Sequence, residues 1–137
     1  MNLETAHREL ETLMQSLNLP VEVLYENIGD YSFSDLPENI FQGENNFIRF
    51  GVEIANSQRL ELNPNPASKE SGAILLDIYL LKGTGVRELY KLLDLLDEQF
   101  KHNDLLGIEL RERTKIGNFK IGKWVLYSYQ YSFYFCN

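Results

Sequence analysis

Val125-Leu126-Tyr127-Ser128-Tyr129-Gln130-Tyr131-Ser132-Phe133-Tyr134-Phe135 is the stretch that decides the fold of this 137-residue chain. Val125, Tyr127, Tyr129, Tyr131, Phe133 and Phe135 alternate with Ser128, Gln130 and Ser132. A side-chain period of two belongs to a β-strand that packs one face on a core. Just upstream, Gly107–Arg113 predicts a partner strand, joined to it by a basic, glycine-containing connection at Thr114–Gly122. Before that, Val86 to Lys101 predicts a long helix with Val86, Leu89, Tyr90, Leu93, Leu96 and Phe100 as its apolar stripe and Asp97 with Lys101 as an i,i+4 pair. Lys82-Gly83-Thr84-Gly85 turns the chain into that helix from a strand at Gly72–Leu81.

The Gly72–Leu81 strand is apolar on both sides, with Ile74, Leu76, Ile78 and Leu80 on one and Leu75, Tyr79 and Leu81 on the other. Asn46–Ile54 reads as a further strand, with Ile48, Phe50, Val52 and Ile54 opposite Phe47, Arg49, Gly51 and Glu53. At the N-terminus, Leu3, Ala6, Leu10, Leu13, Met14 and Leu17 recur at helical spacing over residues 3–17. Asn2 is the expected N-cap, and Pro20 stops the helix by disfavouring α geometry at Leu19. A short strand follows at Val21–Tyr25, then an irregular loop at 26–45. Residues 55–71 predict an extended, turn-rich arm with a short strand at Arg59–Leu62 and a proline-bearing tip at Asn63–Pro66.

The expected order is therefore α-β-β-β-α-β-β in a single α+β domain over residues 1–137. Its sheet is mostly antiparallel or mixed, with the two helices packed on one face. Two helices with one apolar stripe each cover one side of such a sheet. The other side then carries Phe47, Leu75, Tyr79, Leu81, Trp124, Leu126 and Tyr134. So large an apolar patch is unusual on a monomer, so either a second subunit or the 26–45 loop is expected to cover it.

Charge is unevenly placed. Residues 1–45 hold nine acids and one base, Arg8, for a net −8, whereas residues 46–137 hold eleven acids and twelve bases. Within the latter, Arg111, Arg113, Lys115, Lys120 and Lys123 against Glu112 form a basic patch of +4. A chain of net charge −7 is ill suited to tight nucleic-acid binding, which depends on neutralising phosphates. The patch reads instead as a solvated hairpin or a protein contact. No apolar run approaches the ~18 residues of a membrane span, and the first residues lack the pattern of a secretory signal. Cys136 is the only cysteine, which excludes an internal disulfide framework and points towards a reducing compartment.

The residues that usually carry chemistry do not converge. With one cysteine and two distant histidines, His7 and His102, a structural zinc site is not expected. Lys82-Gly83-Thr84-Gly85 lacks the glycine spacing and the trailing Lys-Ser/Thr of a phosphate loop. Asp94, Asp97 and Glu98 read as a solvated helix face, and Asp77 is the one acid set in an otherwise apolar strand. No nucleophile–base pair meets the geometric requirements of an active site, so neither catalysis nor a cofactor is expected.

Several short motifs occur in a suggestive order. Tyr25-Glu26-Asn27 ends the first strand, Phe47-Ile48-Arg49 opens the next, and Arg59 lies on the arm. The glycine-led strand Gly72-Ala73-Ile74-Leu75-Leu76-Asp77-Ile78-Tyr79 follows, then the Gly-Thr-Gly turn and a helix ending in Phe100. Over nearly its whole length the chain thus resembles the tail terminator (tail completion) proteins of long-tailed bacteriophages, the lambda-type family. Asn46 departs from the family's usual proline before the apolar-Arg strand, and the loop at 28–45 is longer.

The resemblance implies a hexameric ring that caps the head-proximal end of the tail tube, halts its polymerisation and offers a surface to the head connector. Its partners would be copies of itself, the tail tube protein and a neck protein, with DNA passing through unbound. Such a protein is made in the host cytoplasm and resides in the virion at the tail–neck junction. The residues expected at subunit or partner contacts are Arg59, Leu60, Leu75, Tyr79, Arg111, Arg113, Lys120, Lys123 and Trp124. The uneven charge fits heterologous ring contacts, in which one patch meets a different patch on the neighbour. Two other readings share the composition: another head–tail joining protein, and a small ligand-binding α+β module with a pocket between the second helix and strand 125–135.

Overall fold

The computed structural model describes residues 2–25, 45–59, 68–102 and 107–136, with the backbone alone at 55–59, 68, 101 and 102. Helix α1 spans Leu3–Ser16, followed by strands β1 (Glu22–Tyr25), β2 (Phe47–Arg59) and β3 (Ser68–Leu81), helix α2 (Val86–His102), and strands β4 (Ile108–Ile121) and β5 (Trp124–Cys136). The order α-β-β-β-α-β-β is as the periodicities predict. The sheet runs β1-β2-β3-β5-β4. β1 pairs with β2 in parallel, and the other three pairings are antiparallel.

Helix α1 begins where Asn2 accepts a hydrogen bond from the Thr5 amide at 2.8 Å, satisfying one of the orphan donors of the first turn. It buries Ala6, Leu10, Leu13 and Met14. Helix α2 buries Leu89, Leu92, Leu93, Leu96 and Phe100, while Val86 and Tyr90, placed by the spacing in its stripe, stand exposed. The buried stripe thus runs through Leu92, one residue round the helix from the expected line. Both helices pack on one side of the sheet over Ile48, Phe50, Ile74, Leu76, Ile78, Leu80, Tyr129, Tyr131, Phe133 and Phe135.

Strand lengths differ most from expectation. β2 runs on to Arg59 and β3 starts at Ser68, with Arg59 directly opposite Ser68, so the two ends of the predicted arm are paired strand that continues the hairpin. Thr114–Gly122, expected as a connection, is mostly strand: β4 reaches Ile121, and only Gly122 and Lys123 separate Ile121 from its partner Trp124. Gly122 has φ +57°, which the tight two-residue turn requires and which a side chain disfavours. Two register shifts, between Leu110 and Arg113 and between Lys115 and Gly117, break the alternation of β4 and explain why its sequence shows no period of two.

Two details tie the sheet ends. The Asn46 side chain accepts a hydrogen bond from the Leu81 amide at 2.9 Å, a contact that proline could not make. The Lys82 amide donates to the Lys123 carbonyl at 2.9 Å, joining the turn before α2 to the β4–β5 turn. Residues 26–44 of the predicted irregular loop, and Leu60 with the tip of the arm, lie outside the described residues. Among the described residues no helix is long and apolar enough to cross a membrane.

Candidate assembly surface

The face of the sheet turned away from the helices has two halves. At one end Phe47, Tyr79, Trp124 and Leu126 form a second core, flanked by Leu24, Leu81 and Ile121. Phe47 stacks on Tyr79 at 4.5 Å between ring centroids and meets Trp124 edge-on at 5.1 Å. Such pairs add about 0.5–1.5 kcal/mol each beyond their area burial. Towards the other end the register brings up Gln130, Ser132, Ser71 and Tyr134, so the apolar character fades along the strands.

Tyr79 and Trp124, expected at a subunit contact, are 2% and 0% exposed in the lone chain. A neighbour reaches neither without first opening the aromatic cluster, and burial of this patch does not require a second subunit. Leu75 and Leu81 are half-buried on the same face. Next to the aromatics runs a polar row, with Arg49 opposite Asp77 and Asp77 opposite Ser128. Arg49 is 5% exposed and donates to the Tyr79 hydroxyl at 3.2 Å, and Ser128 donates its hydroxyl to Asp77. A guanidinium buried this deeply is tolerable only with partners around it, so the row is held as a unit.

The basic patch is not one surface. Arg111 lies over the Tyr134 ring at 4.9 Å, with Lys69 at 4.2 Å from the same ring. A hydrogen bond to Glu109 pushes the Tyr134 hydroxyl up in pKa, and Arg111 acts in the opposite direction. Beyond the bulge Arg113 turns to the helix side, where its Nη1 stands 3.0 Å from Asp97 Oδ2. Tyr131 donates its hydroxyl to the other carboxylate oxygen of Asp97. Asp97, expected on a solvated face beside Lys101, therefore serves as a tie between α2 and the sheet. Lys120 is exposed on β4, and Lys123 sits in the turn with its Nζ 5.5 Å from the Trp124 ring centroid. Arg59 is placed by its backbone at the end of the hairpin, opposite Ser68.

Two residues that the sequence reading passed over complete this edge. Ile116 and Phe119 on β4 are each 55% exposed. The sequence does not mark them, because Thr114–Gly122 reads as a connection, where scattered apolar residues carry no pattern. Among the described residues no strand pairs with the outer side of β4, so its backbone groups there have no sheet partner. The edge combines unpaired backbone, two exposed apolar side chains and Lys115 and Lys120, on a chain that is otherwise strongly acidic. Outside residues 111–123, eight bases face nineteen acids, a net −11.

An open cleft of about 920 Å³ lies between α2, β4 and β5, lined among others by Asp97, Phe100, Arg111, Arg113, Thr114 and Tyr131. Among the described residues no group of three or more His, Cys, Asp or Glu side chains is arranged to hold a metal ion. No protein-family model matches the chain, and a search of curated proteins finds no match.

Proposed function

We propose that this chain is a structural protein of a long-tailed bacteriophage virion, a tail terminator. Copies of it form a ring that caps the head-proximal end of the tail tube, stops tube growth and presents a surface for head attachment. The observation that carries the reading is the exposed basic edge of β4 on an acidic chain, with Ile116 and Phe119 turned outward. Long exposed edges with apolar side chains are templates for pairing with another chain, and soluble proteins normally suppress them. An edge of opposite charge to the rest of its own molecule favours association with further copies. The order of elements and the short motifs supply the link to the phage family. In this role the protein performs no catalysis, and DNA passes through the ring without specific contacts, as the net negative charge favours.

Native mass measurement and electron microscopy test the reading together. A discrete ring-sized oligomer, and overlong tails in lysates of the virus lacking this protein, are the expected results. Tails of normal length beside unjoined heads would instead identify a head–tail joining protein. A second reading, a small ligand-binding module, draws on the cleft beside Tyr131 and Asp97, where Phe100, Leu110 and the Tyr131 ring stand among charged and polar side chains. A chain that stays monomeric and is stabilised against heat by a small molecule would support that alternative.

A further inference from the structure

We draw no further inference here: the strongest candidate, the open cleft between α2, β4 and β5, has Asp97, Arg113 and Tyr131 bound to one another and Arg111 and Glu112 of opposite charge in its lining, so nothing in the structure shows what kind of ligand it would take.

Discussion

Tyr131 on β5 donates its hydroxyl to Asp97 on α2, and Arg113 of the neighbouring strand β4 closes on the same carboxylate. Three elements thus meet at one side chain, and Phe100 adds an edge-on ring contact to Tyr131 at 4.7 Å. Tyr131→Phe keeps the ring packing and removes only the hydroxyl, so the expected loss is about 1–2 kcal/mol, that of a partly exposed charge-assisted hydrogen bond. Chemical denaturation at neutral pH measures it.

The same tyrosine sets an alkaline limit. Burial first, and then the hydrogen bond to Asp97, hold its pKa well above the ordinary value of 10.0. The folded state therefore keeps this proton more tightly than the unfolded chain. Its contribution is complete below about pH 10 and is lost as the pH rises beyond it. Tyr25 and Tyr129, raised mainly by burial, act in the same sense. Stability should fall above about pH 10, less steeply in Tyr131→Phe than in the parent; identical alkaline slopes would contradict this assignment.

Phe47→Ala and Trp124→Ala should each cost about 3–5 kcal/mol, as deletion of a buried aromatic side chain does. Because both residues are buried in the lone chain, the loss should be independent of protein concentration. Melting curves over a hundredfold range of concentration check it. A loss that appeared only where copies associate would mean that a second subunit covers this face.

Gly72→Ala should destabilise by about 2–3 kcal/mol, the range of an overpacked site. A Cβ there would lie 2.0 Å from the Glu53 carbonyl oxygen, and backbone cannot yield as a flexible side chain can. The register beside it is already irregular, with a shift between Ile54 and Asn56. An Ala variant as stable as the parent would show that the hairpin is laxer than its pairing implies.

Replacing residues 60–67 by Asn-Gly should leave the fold intact and, if the arm contacts the next copy or the tube, abolish ring formation. Arg59 and Ser68 are direct register partners, so a two-residue turn can close the hairpin there. Circular dichroism together with native mass separates the outcomes; rings that form unchanged would remove the arm from assembly.

Much of the architecture was legible because its signals are local. The alternation in 125–135 and the helical spacing in 3–17 arise within a few residues of each other, so they assign strand, helix and buried face directly. The parallel pairing of β1 was not legible, since four residues carry too little pattern to choose a neighbour. Nor was the length of β4. Its sequence is polar on both sides and broken by two register shifts, and it is a strand because β5 lies beside it. Of the expected contact residues, Lys120 proved exposed, whereas Tyr79 and Trp124 proved to be core. Composition cannot separate these cases, because an apolar side chain reads the same in a core and at an interface.

What the amino-acid order determined by itself was the succession α-β-β-β-α-β-β and the helix-facing side of the central strands, because both follow from periodicities that short segments impose on themselves. The three-dimensional structure alone decided that the aromatic cluster is sealed within one chain, that Asp97 ties helix to sheet, and that the basic stretch lies along an open edge. Those outcomes depend on residues tens of positions apart being brought into contact, and hydrogen bonding and burial at that range leave no pattern along the chain.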